Sequence, residues 1–177
     1  MSFTVRTAIP TDAPAIAQVQ IESWRSTYAG IVPDEFLASM SLEKGIDRWQ
    51  QVIVAPGNLT FVAEGLDGLF GFICGGKLRA NHDGYWPDGF DAELYAIYLL
   101  QQHQRIGAGR ALVQTLVHAL REQGYRSMAV WVLKENPAVG FYRKLGAVQL
   151  AEMKIAIAGV SLPELALGWP QLASWAD

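Results

Sequence analysis

The stretch Gln104-Arg105-Ile106-Gly107-Ala108-Gly109 constrains this chain most, because the residue pattern changes across it. Before it, Glu93-Leu94-Tyr95-Ala96-Ile97-Tyr98-Leu99-Leu100 is rich in β-branched, aromatic and aliphatic residues and reads as a buried strand. After it, the apolar residues between Arg110 and Leu120 fall at helical spacing. A glycine-containing turn therefore joins a strand to a helix N-terminus. The first amides of a helix have no partner within it, and the helix dipole adds positive potential there. Glycines let a ligand come close to the backbone. Such a turn suits a phosphate or pyrophosphate, although the same turn also occurs with no ligand.

The rest of the chain alternates in the same way. Phe3 to Ile9 reads as a strand, and Thr11 or Asp12 caps a helix running towards Tyr28. Asp34 opens a short helix, and Ser41 opens another that Pro56-Gly57 ends. Leu59–Ala63 and Leu69–Leu78 form a hairpin around glycine. A polar loop then leads into the strand and helix already described. Ser127 to Leu133 is a strand, Asn136-Pro137 starts a helix that stops at Gly146, and Val148–Ile157 and Leu165–Trp169 are strands. This order predicts a single α/β domain of the α+β type, a curved mixed sheet with helices on both faces. With 177 residues, 51% of them hydrophobic, the chain can bury one substantial core.

A formal net charge of −3 argues against general nucleic-acid binding. The single cysteine, Cys74, lies in an apolar run and reads as a small buried hydrophobe, which fits a reducing compartment. No apolar stretch reaches membrane-spanning length, so a cytoplasmic protein is expected. No His/Cys/Asp cluster has metal-ligand spacing, and no metal is expected. Trp169 and Trp175 near the tail would be covered by a partner in a homodimer or by folding back.

Three segments together resemble the GNAT superfamily of acyl-CoA-dependent N-acyltransferases. Gln104–Gly109 is similar to the family's pyrophosphate loop, Gln/Arg-x-x-Gly-x-Gly/Ala. The strand ending Tyr98-Leu99-Leu100 precedes it, and Asn136-Pro137-Ala138-Val139-Gly140-Phe141-Tyr142 resembles the family's Asn-x-x-Ala-x-x-Phe-Tyr segment. Ala147 stands where the family usually has Phe. The close resemblance covers about residues 93–148.

The resemblance implies a mostly antiparallel sheet of about seven strands, splayed where acetyl-CoA, the acyl donor, binds. It implies that backbone amides of Ile106, Gly107, Ala108, Gly109 and Arg110 hold the pyrophosphate, with Gln104 at the start of the loop. Arg105 and Arg110 would add charge, or are simply solvated cations. Unpaired amides between Ile97 and Leu100 would take the pantetheine arm, and the Leu99 amide would hold the oxyanion. Tyr142 occupies the position of a general acid near sulfur, and Asn136 would bind the arm or cap its helix. Glu93 is the expected base, directly or through water. Trp24, Tyr28, Trp86 and Asp91 are the expected acceptor contacts, with His82 and Asp83 nearby. The acceptor would be a primary amine of a small polyamine-like or amino-acid-like molecule, attacked in a ternary complex. The alternatives are a protein N-terminal or lysine acetyltransferase and a non-catalytic acyl-CoA-binding sensor.

Overall fold

The computed structural model describes residues 2–79, 84–85 and 87–175. Its seven strands are β1 (Thr4–Thr7), β2 (Leu59–Gly65), β3 (Gly68–Lys77), β4 (Ala92–Leu99), β5 (Met128–Leu133), β6 (Val148–Ile157) and β7 (Val160–Trp169). They form one sheet in the order β1-β2-β3-β4-β5-β7-β6. Only β4 and β5 run parallel, joined by a crossover through α4 (Ala108–Glu122). Helices α1 (Ala13–Thr27), α2 (Asp34–Ser39) and α3 (Leu42–Val54) precede β2, and α5 (Ala138–Lys144) follows β5. The mixed sheet with helices on both faces is the one the order of elements predicts, and its mostly antiparallel pairing is the one the family resemblance implies.

Each face has its own core. On one, α4 turns Leu112, Val113, Leu116, Val117 and Leu120 onto Ile73, Leu94, Met128 and Val130. Burying each such aliphatic side chain contributes about 1.5–3 kcal/mol. On the other, Ile16, Ala17 and Val19 of α1 and Trp49 of α3 cover Val62, Phe72 and Cys74. Cys74 accepts a hydrogen bond from the Thr60 hydroxyl at 3.3 Å, and burial pushes its thiol pKa up. Like the expected buried hydrophobe, it is a core residue.

Two segments differ from the sequence expectation. The last strand begins at Val160, not Leu165, because Ala158 (φ 48) and Gly159 (φ 81) close a two-residue turn against β6. Pro163 hides this extension in the sequence. It is tolerated because it contributes its carbonyl, which accepts from the Lys134 amide. The tail folds back: Trp169 is buried, its Nε1 donates to the Leu145 carbonyl at 2.8 Å, and Trp175 packs edge-on against it. Among the described residues, no helix is long and apolar enough to cross a membrane.

Candidate active site

The sheet opens in the middle. β4 and β5 pair only at Ala92↔Met128, Glu93↔Ala129 and Leu94↔Val130, and beyond these both strands continue without each other. A bulge at Tyr95 shifts the β3–β4 register between Cys74↔Ala96 and Gly75↔Leu94. It keeps Leu94, Ile97 and Leu99 on the α4 face while Ala96 and Tyr98 face α1 and α3.

Backbone direction then follows from one bond. The Leu100 amide donates to the Phe70 carbonyl at 2.9 Å, so it points towards β3. Antiparallel ladders alternate, so the Tyr98 amide also points to β3, and the Leu99 and Ile97 amides point into the gap left by β5. The Leu99 carbonyl agrees, accepting on that side from Ser23 Oγ of α1 at 3.2 Å and Gln104 Nε2 at 3.3 Å. The expected run of open amides from Ile97 to Leu100 is therefore corrected: Leu100 is already paired, and Ile97 and Leu99 are the open ones.

A 3₁₀ turn, Gln101–His103, leads from β4 to α4. Gly107 begins α4 at φ 89, a left-handed conformation that other residues adopt at a cost. No side chain caps this helix, and its first internal bond is Ala111 N–H to Gly107 O at 3.0 Å. The amides of Ala108, Gly109 and Arg110 thus precede the helical ladder. Space at Gly109 is tight: a Cβ there would stand 3.2 Å from Leu99 Cδ1 and 3.3 Å from Phe141 Cζ, so those side chains would have to give way slightly. Arg105 (φ 62) and Arg110 are exposed, and Ile106 is half-buried. A groove of about 520 Å³ runs from Arg110 past Lys144 and Gly146 to Trp169 and Trp175.

Across the gap stands a group of phenols. Tyr142 of α5 is buried, and burial, then the neighbouring Tyr28, push its pKa above the ordinary tyrosine value. Tyr28, at the end of α1, accepts a hydrogen bond from Asn136 Nδ2 at 2.9 Å. Burial raises its pKa, Asn136 and Tyr98 oppose this, and Glu164 adds to it. Trp24 lies against Tyr28 with ring centroids 4.5 Å apart, and Phe36 and Tyr98 surround it. The Trp24 indole N–H is buried with no hydrogen-bond acceptor among the described residues.

The expected carboxylates lie elsewhere. Glu93 is buried where β4 and β5 are still paired. Arg79 occupies both of its oxygens, Nη2 to Oε1 at 2.9 Å and the backbone amide to Oε2 at 3.0 Å. Roughly 13 Å of extended strand separates it from Ile97, too far for direct proton removal there. Asp91 is a corrected assignment: it accepts from the Arg126 and Ser127 amides and from Ser127 Oγ at 2.9 Å, tying the start of β5 to β4. Burial raises the Asp91 pKa, but these bonds outweigh it and hold the carboxyl below the usual range. Asn136 is also spent structurally, its Oδ1 accepting from the Ala138 amide at 2.8 Å while Nδ2 holds Tyr28. Trp86, His82 and Asp83 lie outside the described residues.

Residues 18–147 match the family model described as Acetyltransferase (GNAT) family. The chain belongs to that family. A Bacillus subtilis (strain 168) protein named as the uncharacterized N-acetyltransferase YuaI is 41% identical over 97% of this chain and 95% of its own length. A spermidine N(1)-acetyltransferase of Thermoplasma acidophilum is 27% identical over 80% of this chain and 84% of its own. The structure of yncA from Salmonella typhimurium with acetyl-CoA superposes with a TM-score of 0.71 at 22% identity, covering 100% of this chain and 98% of that one.

In this GNAT chain, three polar residues drew no role from the sequence: Ser23, Tyr98 and Glu164. Ser23 is buried on α1 and fixes the open end of β4, and a buried serine inside an apolar helix face was its only signal. Tyr98 looked like one more strand aromatic. Glu164 is a buried carboxylate on β7, in the stretch that Pro163 had concealed.

Proposed function

We propose that this GNAT enzyme transfers the acetyl group of acetyl-CoA to a primary amine of a small molecule, by direct attack in a ternary complex. One observation carries the reading: an uncapped helix N-terminus at Gly107 adjoins a strand edge with open amides at Leu99 and Ile97. The first suits a pyrophosphate, held by the amides of Ile106, Gly107, Ala108, Gly109 and Arg110 with charge from Arg105 and Arg110. The second suits an arm that pairs as a strand would. An arm entering from the α4 end meets Leu99 first and Ile97 next, so the thioester carbonyl lies at this pair of amides and the oxyanion is held there. The groove beside Arg110 and Lys144 suits the nucleotide end of the carrier.

The amine nitrogen attacks the thioester carbonyl carbon, the C–S bond breaks, and the electron pair goes to sulfur. Tyr142 protonates that thiolate, and its raised pKa keeps the phenol protonated through neutral pH. The relative named as an N-acetyltransferase supports an amine acceptor, and the one named as a spermidine N(1)-acetyltransferase supports polyamine-like character. The test is CoA release from acetyl-CoA with polyamines, amino acids, aminoglycosides and peptides. Release with at least one small amine is expected. Transfer only to peptides would replace the small-molecule acceptor with a protein one, and acetyl-CoA binding without any transfer would make the chain a sensor.

A further inference from the structure

Resting on that reading, we propose that the indole N–H of Trp24 binds an oxygen of the acceptor. The preferred substrate is then a primary amine that also carries a carbonyl oxygen, as an amino-acid amide does, and not a polyamine. The placement follows from the two faces of the sheet. Tyr142 packs with the side chains of α4, on the face from which the carrier comes. Trp24 of α1 packs with Tyr28, Tyr98 and Leu133 on the other face, which is left to the amine. Tyr98 stands between Ile97 and Leu99, whose amides are open, and Ser23, just before Trp24, donates to the Leu99 carbonyl. Trp24 is therefore beside the acyl position, on the side from which the amine approaches.

What Trp24 offers there is its N–H. Tyr28, Phe36 and Tyr98 pack around its ring with centroids 4.5, 5.8 and 6.4 Å away, so the ring surface is largely taken up. Nε1 is buried, and no acceptor among the described residues lies in hydrogen-bond geometry with it. The Tyr98 oxygen feels this N–H: burial raises the Tyr98 pKa, Tyr28 adds to the rise, and the Trp24 indole opposes it from outside hydrogen-bond geometry. A buried donor left in this condition is uncommon unless a ligand completes it. Trp131 on β5, two residues before Leu133 and so on the same face, has a second such N–H, with Tyr85 edge-on to its ring at 5.9 Å.

The chemistry of the ligand follows. An indole N–H only donates, and so does an ammonium. A protonated polyamine would bring further donors to a face that already holds two without acceptors. A carbonyl oxygen accepts from Trp24 while the amine of the same molecule reaches the thioester. The other polar groups on this face are the phenols of Tyr28, Tyr98 and Tyr85 and the carboxylate of Glu164, which opposes Leu133 from β7. Tyr28 is bonded to Asn136, and Tyr85 and Glu164 have contacts of their own. Trp24 is thus a specificity determinant and takes no part in the proton transfers.

The experiment measures kcat/KM for two pairs of amines that differ only by a carboxamide, leucinamide against isopentylamine and phenylalaninamide against phenethylamine, with spermidine alongside. It compares wild type, Trp24→Phe, and the protein carrying benzothienylalanine at position 24, whose sulfur replaces the N–H in a ring of similar shape. The ratio within each pair is the readout, so a general loss of folding or of acetyl-CoA binding cancels. The difference in basicity between the paired amines cancels when variant and wild type are compared. Wild type prefers the amide in at least one pair and uses it faster than spermidine. Both variants lower that preference by about tenfold, the scale of one buried hydrogen bond. The benzothienylalanine protein, which keeps the packing, decides the matter if Trp24→Phe does not fold. A preference that stays within threefold of wild type in that protein, or a wild type that acetylates spermidine and neither amide, overturns the inference and leaves the proposed function standing. A wild type that binds acetyl-CoA and acetylates no amine overturns both.

Discussion

The two ends of β4 are built from opposite materials. At the Ala92 end the strand is paired on both sides, and the polar side chains beside it are fully employed: Asp91 by Arg126 and Ser127, Glu93 by Arg79. At the Leu99 end the side chains are apolar, and the backbone is what remains open, at Ile97, at Leu99 and across the first turn of α4. A carboxylate near a motif is thus a poor marker of the site in this chain. Unpaired backbone is the better one, since buried amides are seldom left without partners unless a ligand supplies them.

Substitutions at the two ends should separate cleanly. The largest effect is expected from Gly109→Val, which drives a branched side chain between Leu99 and Phe141; acetyl-CoA affinity falls by about 100-fold, a loss of roughly 2.7 kcal/mol readable by calorimetry. Next, Tyr142→Phe lowers kcat by about 100-fold, the usual scale for a positioned acid, while the KM for acetyl-CoA stays within twofold. Because burial and then Tyr28 raise this phenol's pKa, the ratio between the two enzymes is the same at pH 7 and pH 9. A ratio that collapses towards one at pH 9 would show an acid that has already titrated.

At the closed end, Asp91→Ala strands the Arg126 and Ser127 amides and costs about 1–3 kcal/mol by urea unfolding, with kcat within twofold. The Asp91 pKa is depressed in the fold, so its contribution is present above the unfolded value of about 3.9 and is lost as pH falls through the lower folded value. The stability difference between wild type and variant therefore narrows below about pH 4. Smallest is Arg105→Gln, which weakens acetyl-CoA binding by about threefold at low salt and less at high salt, as befits an exposed cation.

The turn and the strand before it were legible in the sequence because local chemistry dictates them. Glycine at 107 answers a positive φ, and the shift from aliphatic strand to helical spacing fixes where α4 starts. Tyr142 and Tyr28 were legible as aromatics, but their meeting across the gap joins residues more than a hundred positions apart, and no local pattern encodes that. The carboxylates failed for a related reason. Glu93 sits on the right strand, yet its Arg79 partner comes from the segment just after β3, fourteen residues earlier. Asp91 likewise finds Ser127 through the β4–β5 crossover. The first half of β7 was hidden because a proline normally ends a central strand, and here the strand continues past it.

Amide hydrogen exchange, read residue by residue with and without saturating acetyl-CoA, tests the central claim most directly. The account predicts slowed exchange at Ile97, Leu99 and Gly107–Arg110, with Leu94 and Leu100 unchanged because β5 and Phe70 already hold that part of the backbone. Protection that spares Ile97 and Leu99, or that falls at the Ala92 end instead, would contradict it.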